Sequence, residues 1–167
     1  KTGAGAGEEQ GCQDGIDVYF STFAKSMANI GAFVAADKDI IDYLKYNLRS
    51  QMFAKALPMI QTIGSLKRLE LLRNSSEIKD KLWVNVNALQ SGLREKGFNI
   101  GDTNTCITPV YLEGSIPEAM IMVNDLRENY SIFLSIVVYP VIPKGIILLR
   151  MIPTASHTIA DIDETLT

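Results

Sequence analysis

Apolar and polar positions alternate in two distinct periods along this chain. Ile78, Leu82, Val86, Leu89 and Leu93 recur at the spacing of one helical face, and Gly97 stands where such a helix ends. Asn74, three residues before Glu77, resembles a capping pair for its start. Upstream, Ile60, Ile63, Leu66 and Leu69 give a second stripe within a helix from Pro58 to Arg73, and "DKDIIDYLKYNL" from Asp37 gives a third. "GIDVYF" (15–20) and "GAFVAA" (31–36) read as short strands bounded by turns. Downstream, "CITPVYLEG" reads as a strand, and Ser115 with Glu118 opens a helix running to about Asn129. "SIFLSIVVYP" and "GIILLRMIP" are strands joined by a Pro-rich turn, and Thr158 with Asp161 starts a last helix through Leu166.

The last ninety or so residues thus run helix, strand, helix, strand, strand, helix, the order of a two-layer α/β unit with helices on one face of a small sheet. The first sixty or so have strands and helices but no evident core. They read as part of a larger sheet. The division falls between 1–73 and 74–167.

Composition narrows the class. The 167 residues are 47% hydrophobic and 21% charged, as in a soluble globular protein. A net charge of −3 gives no reason to expect nucleic acid or an anionic membrane as partner. No apolar run reaches the length of a membrane span, since "SIFLSIVVYP" breaks at Pro140. The opening "KTGAGAGEEQG" has no apolar h-region, so no signal peptide is expected. Cys12 and Cys106 read as free thiols in a reducing compartment.

Candidate chemistry is sparse. Gly3, Gly5 and Gly7 are spaced G-x-G-x-G without a preceding strand, so a flexible, tightly turning loop is expected in place of a phosphate-binding fingerprint. His157 is the only histidine, which leaves no metal set and no Ser-His-Asp triad, and suits a structural hydrogen bond near a helix start. Met52, Phe53, Leu57 and Met59 read as packing. Arg150 interrupts an apolar strand, either at an exposed edge or turned toward a pocket that holds an anion. Lys25 is the one charge within "YFSTFAKSMANIGAF" and should lie on the turn joining the first two strands. It either reaches water or is held for chemistry.

The segment "STFAKSMANIGAF" resembles the pyridoxal-phosphate lysine segment of the α-oxoamine synthases, G-T-[LF]-[GS]-K-[AS] followed by small residues and G-G. The likeness continues in order along nearly the whole chain. "KTGAGAGEEQG" is similar to the family's G-x-G-x-x-E loop. "SQMFAKALP" and "LWVNVNALQSGLREKGFNIG" match the segment before its long helix and the helix opening its C-terminal domain. "YPVIPKGIILLRMIPTASHT" matches its signature ending in A-x-H-T. Within the family, "TFAKS" with "SMANIGAF" looks most like bacterial serine palmitoyltransferases. Chance similarity of an unrelated α/β binding domain does not account for ordered motifs at both ends.

The resemblance implies an α/β fold of the pyridoxal-phosphate transferase type I class, here a partial large-domain sheet followed by the small C-terminal domain. It implies that Lys25 forms the Schiff base with pyridoxal phosphate and moves protons at the substrate Cα, while Thr22 binds the cofactor phosphate. Arg150 would grip the substrate carboxylate. A Schiff-base lysine attacks as the neutral amine, which a desolvated setting favours. The implied reaction is a decarboxylating condensation of an amino acid, L-serine by preference, with an acyl-CoA, palmitoyl-CoA by preference. Runner-up readings are a 2-amino-3-ketobutyrate CoA ligase, an 8-amino-7-oxononanoate synthase, or a non-catalytic subunit of this fold. Retention of Lys25, Thr22 and Arg150 together argues against the last.

A cytoplasmic homodimer is implied, with no metal and with membrane contact, if any, peripheral. Three positions depart from the pattern: Ser21 and Ala32, the latter after Gly31, stand for family glycines, and Ala54 stands where a serine reaches the neighbouring subunit's phosphate. The family's phosphate turn, its ring-stacking histidine and its aspartate on the pyridinium nitrogen have no counterpart in these residues. The 167 residues alone are therefore expected to bind the cofactor weakly and to be inactive.

Overall fold

A computed structural model describes residues 2–167. The chain divides into two compact units, Lys1–Ser76 and Glu77–Thr167.

The first unit opens with a short helix, α1 (Ala6–Gln10), and a single 3₁₀ turn at Gln13–Gly15. Strands β1 (Val18–Thr22) and β2 (Ala32–Ala36) pair antiparallel, from Val18 opposite Ala36 to Thr22 opposite Ala32. The 3₁₀ turn takes Gly15, where β1 was expected to start, and the strand instead begins at Val18 and takes in Ser21 and Thr22. Helices α2 (Lys38–Asn47), α3 (Arg49–Met52) and α4 (Met59–Asn74) follow. Lys38 and Lys45 both pair with Asp42 on α2, and the two ammonium groups pull the Asp42 carboxyl below its usual range.

This unit has little interior. Gly7 is its one buried residue among those described. The α4 stripe forms at helical spacing, yet Ile60, Ile63 and Leu66 are all exposed. The expected packing of Met52, Phe53 and Met59 is likewise absent, for all three are exposed. Leu57 does touch the unit, against Gly31. Periodicity reports that a face is apolar, not what covers it.

The second unit is α5 (Ser76–Glu95), β3 (Thr108–Leu112), α6 (Ile116–Tyr130), β4 (Ser135–Val137), β5 (Ile147–Met151) and α7 (Ile159–Leu166). This is the element order expected from the sequence. The sheet order is β3-β5-β4 with both pairings antiparallel, so β5 is central. As an edge strand β3 tolerates Pro109, which has no N–H to give a ladder.

Leu89 and Leu93 of α5, Val110, Leu149 and Ile162 form the core, with Met122 and Leu126 of α6 packed against it. Helices therefore cover one sheet face, and strand alternation leaves the other open. The capping box expected of Ser115 with Glu118 forms on α6, and Thr158 with Asp161, expected to start the last helix, closes a second box on α7. The bonds each carboxylate accepts hold Glu118 and Asp161 below the usual carboxylate range.

Three expectations need correction. Asn74 does not cap α5; it ends α4, and Ser75 separates the two helices. Ile78 lies outside the core at 55% exposure, and the buried α5 face instead includes Asn85 and Gln90. The strand expected over "SIFLSIVVYP" shrinks to three residues, because Ser131 ends α6 in a left-handed conformation (φ 57°) and only Ser135–Val137 finds partners on β5.

Candidate active site

Lys25 stands on the nine-residue connection from Phe23 to Gly31 between β1 and β2, as the sequence placed it. Three backbone bonds shape that loop: Phe23 N–H to Gly31 O and Asn29 N–H to Phe23 O, both 2.8 Å, and Ala28 N–H to Lys25 O, also 2.8 Å. Ala28 takes the left-handed conformation (φ 43°), and a small side chain limits the strain there. Gly31 has φ 106°, and a Cβ there would lie 2.8 Å from Leu57 Cδ2. Only glycine suits the position. The ring of Phe23, the loop's first residue, stacks on that of Phe33 in β2 with centroids 5.8 Å apart.

The loop is also fastened to α4. The Asn29 side-chain amide donates to Gln61 O and to Ser65 Oγ, while its Oδ1 accepts from Ile30 N–H. Asn29 braces the lysine loop, and the sequence reading did not single it out. Its only signal was a lone amide within a run of small residues.

Thr22 ends β1, three residues before Lys25. Among the described residues the Lys25 ammonium and the Thr22 hydroxyl have no hydrogen-bond or ion-pair partner, and both residues are exposed. The desolvation expected around Lys25 is therefore not supplied by this chain. What the loop offers is a primary amine and a hydroxyl, both unclaimed, on a backbone held from three sides.

The Gly-rich start is more ordered than a flexible loop. Glu8 Oε1 accepts from Thr2 N–H at 3.2 Å and Thr2 Oγ1 at 2.7 Å, and Oε2 accepts from Ala4 N–H at 3.1 Å. These donors, the Thr2 hydroxyl foremost, lower the Glu8 carboxyl from 4.5 to about 2. In the G-x-G-x-x-E pattern the glutamate ties the turn ahead of α1.

Arg150 belongs to the second unit. It lies on the central strand, not an edge, and is exposed on the face opposite the helices. Its Nε donates to Ser135 Oγ at 3.2 Å, and among the described residues it makes no ion pair. His157 has the structural role expected of it: Nδ1 accepts from Thr154 N–H at 3.0 Å. Cys12 and Cys106 are free. Among the described residues no helix is long and apolar enough to cross a membrane, and no three His, Cys, Asp or Glu side chains cluster as metal ligands would.

The family model for aminotransferase class I and II matches residues 3–167. The chain belongs to that family. Within it the relatives are α-oxoamine synthases. A cysteate-C-fatty acyltransferase of Capnocytophaga ochracea is 73% identical over 164 residues, covering 98% of this chain and 39% of that protein. A serine palmitoyltransferase of Sphingobacterium spiritivorum is 36% identical over 162 residues, covering 97% of this chain and 40% of its own length. Among solved structures, the serine palmitoyltransferase of S. paucimobilis with a bound PLP–myriocin aldimine superposes with a TM-score of 0.90 at 29% identity. That match covers 99% of this chain and 42% of the other. The fold is thus the α/β architecture of pyridoxal-phosphate transferases of type I, and the chain spans about two fifths of the length of these relatives.

Proposed function

We propose that this chain is the lysine-bearing part of a pyridoxal-phosphate-dependent C-acyltransferase. The reaction condenses an amino acid with an acyl-CoA thioester and releases CoA and carbon dioxide. The observation that carries the reading is the Lys25 loop: an unclaimed amine three residues beyond an unclaimed hydroxyl, on a braced backbone, in a chain that belongs to this family.

The residues present fit the cofactor. Lys25 Nζ offers the primary amine its aldehyde takes, and Thr22 Oγ1 offers a donor to its phosphate. When bound, the cofactor supplies an electron sink for negative charge at the substrate Cα. Lys25 would then take the proton from that carbon and return it. Arg150 takes the substrate carboxylate through its terminal N–H groups and so sets which Cα bond is aligned for cleavage. The working protein is a homodimer in this reading.

For the amino acid, cysteate is the first reading, since the cysteate-using relative is 73% identical against 36% for the serine-using one. Serine, with palmitoyl-CoA, is the second, supported by "TFAKS" with "SMANIGAF" and by the 0.90 superposition. A long-chain fatty acyl-CoA is the donor in both.

The test uses protein from the full open reading frame. Borohydride reduction followed by peptide mapping should place a pyridoxyl-phosphate label on Lys25, and Lys25→Ala should lose both the label and CoA release. A wild-type protein that takes no label overturns the proposal. CoA release should be fastest with cysteate and a long-chain acyl-CoA. Serine as the best substrate selects the second reading; glycine with acetyl-CoA, or alanine with a pimeloyl donor, overturns both substrate readings.

A further inference from the structure

Ser135 opens β4 opposite Arg150 in the antiparallel ladder. Its neighbours fix the direction of its side chain. Leu134 is buried at 8% exposure and Ile136 packs on the same core, so alternation turns Ser135 to the open face. Arg150 reaches that face by the same rule, since Leu149 before it is buried. Its opposite neighbour on β3 is Pro109, whose ring offers no donor or acceptor.

Ser135 Oγ is thus the side-chain partner of the guanidinium, accepting from Nε at 3.2 Å. Nε is one of five guanidinium donors, and the remaining four lie on the two terminal nitrogens. Holding Nε leaves those free for two parallel bonds to a carboxylate, and it orders a long side chain before ligand arrives.

The geometry points to Ser135 as the positioning residue for the Arg150 guanidinium, and through it as a determinant of amino-acid affinity. This rests on the reading of Arg150 as the carboxylate grip. Ser135 acts on the arginine and not on the substrate.

Ser135→Thr and Ser135→Val test it in the full-length holoenzyme, because the two side chains share a shape suited to a strand and differ in the hydroxyl. The KM for the amino acid should rise about 5- to 10-fold in Ser135→Val, the scale of one ordinary hydrogen bond lost from the guanidinium's support. The KM for acyl-CoA should stay within about twofold, and Ser135→Thr should stay within about twofold on both. In an Arg150→Ala background, Ser135→Val should add nothing further. Equal amino-acid KM values for the Thr and Val variants overturn the proposal, as does a Val effect that persists without Arg150. Should Arg150→Ala itself leave the amino-acid KM unchanged, the grip reading falls and takes this inference with it.

Discussion

Asn29 and Ser65 meet at 2.7 Å, amide to hydroxyl, and the same amide reaches the Gln61 carbonyl at 2.8 Å. One side chain thus joins the Lys25 loop to α4 across more than thirty residues of chain. Its backbone N–H closes the loop on Phe23 O, and its Oδ1 receives Ile30 N–H. Asn29 thus braces the loop by its side chain and its backbone together.

Asn29→Ala should therefore release the loop without unfolding the sheet. Stability should fall by about 1–3 kcal/mol, the range for leaving partly buried partners unpaired. Amide hydrogen exchange should quicken across residues 23–31 and stay unchanged in β1. Exchange that is uniform with wild type would show that the strands alone shape the loop.

Glu8 gives a pH signature to the Gly-rich turn. Its folded carboxyl titrates at about 2 against an ordinary 4.5. A depressed carboxyl stabilises the folded turn above 4.5, and that contribution disappears as pH falls from there through about 2. The carboxyl carbon resonance of Glu8 should titrate near 2, and Thr2→Ala should move the midpoint up toward 4.5 by removing the hydroxyl donor. A wild-type midpoint already at 4.5 would dissolve the clamp.

The 167-residue chain expressed alone should bind pyridoxal phosphate weakly and release no CoA. Lys25 and Thr22 are exposed, and their unit buries only Gly7 among its described residues, so water competes for both groups. Equilibrium dialysis against the cofactor, compared with the full-length protein, measures this. Equal affinity would mean that the loop suffices.

Much of this was legible in the residues because local signals agreed with tertiary ones. The Ser115 and Thr158 boxes state their helix starts outright, and Lys25 between two strands could only be on a turn. What could not be read was cover and partnership. The α4 stripe has the same spacing whether buried or bare, so Ile60 and Ile63 gave no warning of their exposure. Arg150 left edge and pocket undecided because sheet order is a non-local fact. Ser135 and Asn85 carry no pattern at all, and Asn29 only a lone amide among small residues; each matters through one long-range hydrogen bond or two.

Asn85 gives the clearest case for stability. It is 1% exposed on α5, where the helical stripe alone would place an apolar residue. Both amide hydrogens are used, to Thr154 O and His157 O at 2.9 Å each, and His157 Nδ1 in turn receives Thr154 N–H. The turn between β5 and α7 is thereby pinned to the helix beneath it. Asn85→Ala removes two donors and leaves a void, so unfolding of the second unit should lose roughly 2–5 kcal/mol in urea titrations. Asn85→Asp keeps the volume but loses both donors and places a carboxylate against two carbonyls, so it should cost more than alanine. If aspartate is the milder change, or if alanine leaves the urea midpoint in place, the turn is held by its own backbone and not by Asn85.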